Sequence, residues 1–173
     1  MRVVNLEWVG MAKTRAKSIF PPDEHDHTIC VASARQRAEE ALKGAGLRMT
    51  PLRSCVFDEV SASHHAVGAY EILHRIAAKG QRLAPISVYR ALDALREAGV
   101  VHRLESRNAF FACQQAHATQ RPYLVMVCSG CGSVAETPAP RVWDAIDEAV
   151  SSVEFAFEGS VVEVLGRCRP CER

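Results

Sequence analysis

Four cysteines stand in two pairs, Cys128-Ser129-Gly130-Cys131 and Cys168-Arg169-Pro170-Cys171. Two residues between cysteines let both sulfurs turn to one side of a tight turn. Two such hooks facing each other set four thiolates in a tetrahedron, the closed geometry of a structural zinc site. The intervening stretch reads as strand, helix and strand, so the metal would clamp both ends of a small α/β unit. Two disulfides, four buried thiols or a thioredoxin-like redox pair are the other readings of this pattern. The redox motif sits between a strand and a helix start, and neither pair here does. Of the 7 cysteines, Cys30, Cys55 and Cys113 fall outside the hooks.

A second chemistry is suggested by Tyr89 and Arg90, near the start of an amphipathic stretch. Val88, Ala91, Leu92 and Leu95 fall on one side of it, and Tyr89, Arg90, Asp93, Arg96 and Glu97 on the other. Arginine pairs in bidentate fashion with guanine, and a tyrosine ring packs on a thymine methyl. The pair is otherwise an ordinary exposed surface. The elements around it decide between these readings.

Helical patterns run from Val31 to about Ala45, from Pro51 with Thr50 as N-cap, from Ala69 to near Gly80, and from Ser87 to about Ala98. Val100–Leu104 and Ala109–Cys113 follow as strands, with Glu105–Asn108 as their turn. Helices followed by a hairpin make a winged helix-turn-helix, whose last helix enters the major groove. Beyond it, Pro122–Val127 and Gly132–Glu136 read as a hairpin. Thr137 and Pro138 read as the cap and first turn of a helix bearing Val142, Ile146, Ala149 and Val150. Phe155–Phe157 and Val161–Leu165 read as two further strands. The expected class is α+β, an N-terminal winged helix-turn-helix DNA-binding domain followed by a small α/β domain with a four-cysteine zinc site. The expected divisions are an unordered arm over 1–30, the winged helix over 31–115, a hinge over 116–122 and the zinc-clamped domain over 123–173.

Composition agrees with a soluble globular protein: 173 residues, 48% hydrophobic and 24% charged. No apolar run is long enough to span a membrane, and the first residues lack a signal peptide's order, so a cytoplasmic location is expected. Reduced thiols there suit metal better than disulfides. The net charge of +1 is unevenly spread. From Val31 to Gln120 there are twelve Lys/Arg and eight Asp/Glu; from Arg121 to Arg173 there are five and eight. The first half suits an anionic polymer, the second does not. In the opening segment, Met11 precedes a basic, start-like stretch. His25, His27 and Cys30 can bind metal or form a solvated arm, and the arm is the expectation. His64, His65 and His74 read as surface or core-edge residues without a ligand role. No Ser/His/Asp grouping, phosphate-cradling glycine loop or HExxH motif argues for an enzyme.

Leu47–Arg53, Ser87–Leu92, His102–Ser106 and Cys128–Gly132 resemble the ferric uptake regulator superfamily, most closely its zinc uptake regulator branch. The likeness runs from about Arg35 to the C-terminus. It implies that the α/β domain is a dimerisation domain and that the protein is a homodimeric, zinc-responsive repressor of zinc uptake genes, reading a palindromic DNA operator. Cys128, Cys131, Cys168 and Cys171 would hold structural zinc, and Tyr89, Arg90 and Arg53 would face DNA. A regulatory zinc at the hinge would be the second ion per chain. His102, Cys113 and Glu136 match three of its ligands. The family's remaining histidine falls at Arg121, and His117 in the same loop is expected to complete the set. One thiolate among imidazoles and a carboxylate suits zinc. Regulators of the superfamily that sense iron, nickel or peroxide are the alternative, and a CxxC redox protein a more distant one.

Overall fold

The computed structural model describes residues 19–20, 27–114 and 123–172. In chain order these form α1 (His27–Gly44), α2 (Pro51–Ser61), α3 (Ala69–Ala78), α4 (Pro85–Glu97), β1 (Val101–Leu104), β2 (Ala109–Ala112), β3 (Tyr123–Cys128), β4 (Val134–Pro138), α5 (Pro140–Ser151) and β5 (Glu163–Gly166). Met11, His25, His117 and Arg121, with the expected hinge over 116–122, lie outside the described residues.

The four N-terminal helices close around one apolar core. Val56, Phe57 and Val60 of α2, Ile72 and Ile76 of α3, and Val88, Leu92 and Leu95 of α4 supply its centre. Their spacing is the three-to-four-residue period that puts side chains on one face of a helix. The start of α2 follows the sequence: the Thr50 hydroxyl accepts the Arg53 backbone N–H at 3.3 Å, and Pro51 takes the first helical position. Such a cap contributes about 1 kcal/mol. Helix α4 begins at Pro85, two residues before the expected Ser87, because proline's fixed φ suits a first turn that needs no N–H. Helix α1 begins at His27, four residues before Val31. His27 and Cys30 therefore lie in a helix and are half-buried, contrary to the solvated arm expected for them.

Strands β1 and β2 pair antiparallel, with His102 opposite Phe111 and Leu104 opposite Ala109. A single 3₁₀ turn joins them, and Asn108, at φ 47°, takes the left-handed position that asparagine tolerates. This wing is buried on both faces. Val101 and Phe110 join the helical core, while Leu104 and Phe111 join a second core with Val125, Val127 and Val134. Neighbouring residues on a strand point to opposite faces, which is why β2 reads as a continuous apolar run.

The second sheet has the order β4-β3-β5, with β3 antiparallel to β4 and parallel to β5. Two expectations change here. Thr137 and Pro138 do not start a helix; they extend β4, with Pro138 opposite Tyr123. An edge strand tolerates a proline that donates no ladder bond, and Pro140 takes the first turn of α5 instead. Phe155–Phe157 forms no strand, and Phe155 and Phe157 are exposed. Among the described residues no strand pairs with this segment, and composition without a ladder partner does not make a strand. Helix α5 buries only Trp143 fully and leaves Val142 exposed, so its apolar side is mostly open.

Candidate metal centres and DNA-facing helix

The two cysteine hooks close on each other. Cys128 ends β3, Cys131 lies in the following turn, and Cys168 and Cys171 belong to a short 3₁₀ turn after β5 and its approach. Because β3 and β5 run parallel and adjacent, both hooks arrive at the same end of the sheet. The sulfurs of Cys128 and Cys168 lie 3.5 Å apart, and those of Cys131 and Cys168 lie 3.7 Å apart. A tetrahedron with Zn–S bonds of about 2.3 Å has edges of roughly 3.8 Å, close to these two distances, and all four sulfurs lie within 4.8 Å of one another, so they could hold zinc. No disulfide joins any of the seven cysteines, all of which have described positions. Gly130 is required here: a Cβ would stand 2.9 Å from Cys171 Cβ and 3.1 Å from its sulfur.

The backbone is already arranged for thiolate. The N–H groups of Cys168 and Cys131 donate to Cys128 Sγ at 3.3 and 3.4 Å. These bonds hold the Cys128 thiol down at about 5 against the opposing effect of burial. Cys171 is pushed up to about 12, first by the Cys168 sulfur, then by burial and the other two sulfurs. One thiolate is favoured and its neighbour is resisted, which is the electrostatics of a cluster that requires a cation to hold four negative sulfurs together.

The second centre joins elements that are distant in sequence. His102 lies on β1, Cys113 follows β2, and Glu136 lies on β4. One ligand atom from each falls within 4.8 Å of the others. His102 Nε2 and Glu136 Oε1 are 3.3 Å apart. With Zn–N and Zn–O bonds of about 2.1 Å, that edge is what tetrahedral zinc needs. The Glu136 side chain is fully buried, and burial pushes its carboxyl up to about 7 despite bonds from the Gln114 backbone and the Cys113 side chain. The Gln114 N–H donates to Glu136 Oε2 at 2.9 Å, and the Gln114 amide donates to the Val134 carbonyl at 2.8 Å. Tyr123 hydroxyl bonds the His102 ring, and burial, with Glu136 and Cys113 beside it, pushes that phenol up.

Helix α4 presents Arg90, Asp93, Arg96 and Glu97 along its outer side, with Arg90 in its second turn. Tyr89 is half-buried, its ring packed against the edge of the helical core. Arg53 donates to the Arg48 carbonyl at 2.6 Å, which anchors the turn before α2.

A sequence model described as the ferric uptake regulator family matches residues 44–164. The chain belongs to the ferric uptake regulator family. It is 32% identical over 135 residues to the zinc uptake regulation protein of Escherichia coli strain K12, covering 78% of this chain and 79% of that one. It is 25% identical over 143 residues to the peroxide operon regulator of Bacillus subtilis strain 168, covering 80% and 93%. Among solved structures, a zinc uptake regulator complexed with zinc and DNA is similar, with a TM-score of 0.72 at 30% identity, covering 86% of this chain and 97% of that chain. The holo form of XcZur gives 0.73 at 33% identity, covering 82% and 98%.

Several residues around these centres give no signal in the sequence of this family member. Tyr123 and Gln114 support the second centre, yet a tyrosine opening a strand and a glutamine following one carry no motif. Glu163 of β5 accepts the backbone N–H of Glu105 at 2.5 Å and of Ser106 at 3.1 Å, tying the wing tip to the second sheet. His64, read as having no ligand role, lies within ligand distance of His27 and Cys30. Only the pairing of α1 with the α2–α3 turn reveals that.

Proposed function

We propose that this chain is a zinc-responsive repressor that binds operator DNA as a homodimer and controls zinc uptake genes. The observation that carries the reading is the second centre, where a thiolate, an imidazole and a buried carboxylate converge from the wing and the second sheet. A thiolate in that set favours zinc over the harder oxygen-liking cations. The likeness to zinc uptake regulators, one of them complexed with zinc and DNA, supports the same reading. A zinc ion there would supply a positive bridge between His102 and Cys113 on the wing side and Glu136 on the sheet.

The chain's own residues define what the bridge acts on. Without it, burial favours the protonated Glu136 carboxyl below about pH 7, and Tyr123, Gln114 and direct His102 contact link wing and sheet there. His102, Cys113 and Glu136 would hold the ion, and sharing it would narrow the separations open to the winged helix. Arg90 on α4 reads the major groove, with Tyr89 at the edge of that face and Arg53 close to the backbone. The β5 edge, unpaired among the described residues, and the exposed Val161, Val164, Leu165 and α5 side give two protomers a face to share. A two-fold dimer then sets two α4 helices against the halves of a palindromic site. The reading implies action in the cytoplasm, where the DNA is, and a regulatory role instead of a catalytic one.

The decisive experiment is a gel-shift titration with zinc. Cys113→Ser is expected to lose the zinc-stimulated part of operator affinity, roughly 5- to 150-fold, while remaining a folded dimer. Binding equal to wild type at every zinc concentration would remove the second centre from the mechanism.

A further inference from the structure

We infer that His27, Cys30 and His64 form a third zinc site, separate from the four-cysteine cluster and from His102, Cys113 and Glu136. One ligand atom from each of the three residues lies within 4.8 Å of the others, and all three are half-buried. His27 and Cys30 sit three residues apart in the first turn of α1, so both side chains leave the same face of the helix. His64 comes from the turn between α2 and α3, across from that face. The two imidazole rings meet edge to face with centroids 4.6 Å apart.

The histidine chemistry is prepared for a ligand role. His27 Nε2 lies 3.0 Å from the Ser61 carbonyl, in a part-buried position. A carbonyl only accepts, so Nε2 carries the proton and Nδ1 is the basic nitrogen. A histidine whose second nitrogen donates to a backbone carbonyl is the usual arrangement around a bound metal, because it fixes tautomer and ring direction. Two imidazoles and a thiolate are a borderline-soft set that suits zinc, which binds with loss of the Cys30 thiol proton to solvent. Three protein ligands leave a fourth position to water.

The surroundings connect this site to the second centre. A cleft of about 350 Å³ is lined by His27, Cys30 and His64 and continues to Cys113 and Gln114. The His64 carbonyl accepts the Val134 N–H at 2.9 Å, two residues before Glu136 on the same strand. A cation held by α1 and the α2–α3 turn therefore pins the start of α1 beside the wing end.

The test counts zinc in the full-length protein after saturation and removal of loose metal, with folding checked by circular dichroism. Wild type is expected to hold three zinc ions per chain. Cys30→Ser and His64→Ala, on different elements, should each hold two, and Cys30→Ser combined with Cys113→Ser should hold one. With cobalt as probe, Cys30→Ser should lose part of the thiolate-to-cobalt absorption that Cys113→Ser retains. Wild type saturating at two, with Cys113→Ser at one and Cys30→Ser unchanged, overturns the third site and leaves the proposed regulator intact. A drop in Cys30→Ser without one in Cys113→Ser supports the third site and counts against the second centre.

Discussion

The four-cysteine cluster and the His102–Cys113–Glu136 centre could each hold a metal ion, yet they are built in opposite ways. The cluster draws all four sulfurs from two short turns at one end of one sheet. Its ligand distances are set by local turn geometry and by the parallel pairing of β3 with β5. The second centre takes its ligands from β1, the end of β2 and β4, so its distances depend on how the wing sits against the second sheet. A closed set within one domain can only stabilise that domain. A set split between two bodies reports, and alters, their relative position. Under the proposed reading, that difference separates a structural ion from a regulatory one.

Three measurements sharpen or break this contrast. The largest effect belongs to Cys128→Ser. Free energies of order 10 kcal/mol couple zinc binding to folding in small four-ligand domains. The variant should lose the cluster's zinc and the folded C-terminal half, seen by metal content and circular dichroism. A variant that keeps wild-type folding would show that the hooks are not structural.

The next effect is on pH. Burial raises the Glu136 carboxyl from 4.5 to about 7. Between those values the metal-free folded chain binds a proton that the unfolded chain does not. That contribution to stability is therefore full below 4.5 and lost as pH rises through about 7. Zinc requires the carboxylate, so proton and metal compete. Affinity at the second centre should fall about tenfold or more for each unit below about pH 7, while the cluster keeps its zinc between about pH 6 and about pH 8. Competitive zinc titration over that range checks both halves, and an unchanged second-centre affinity would exclude Glu136 as a ligand.

The smallest effect is expected for Tyr123→Phe, which removes the hydroxyl that orients the His102 ring. Zinc affinity at the second centre should drop about 10-fold, the low end for loss of a supporting hydrogen bond, with cluster zinc and melting temperature unchanged. Equal affinity would show that Glu136 and the wing alone orient His102.

The cluster was legible because CxxC spacing encodes a local shape, and the helical core was legible because Val88, Leu92 and Leu95 repeat with the helix period. The helix expected from Pro138 starts instead at Pro140, since Thr-Pro also closes an edge strand, and only the pairing with Tyr123 distinguishes the two. Phe155–Phe157 had the composition of a strand and no strand beside it to pair with among the described residues. His64 carried no signal, because a ligand cluster drawn from α1 and a distant turn has no characteristic spacing along the chain.

From the amino-acid order alone come the winged-helix plan, the four sulfurs and the residue types that can bind a second cation. The first two rest on helix periodicity and turn chemistry within a few residues, and the third on the resemblance to the family. Tertiary packing decided that the wing lies buried between two cores, that Tyr123, Gln114 and Glu163 tie it to the second sheet, and that His27 and Cys30 meet His64. Those placements depend on contacts between segments tens of residues apart, whose distances are set by the folded packing and not by local sequence.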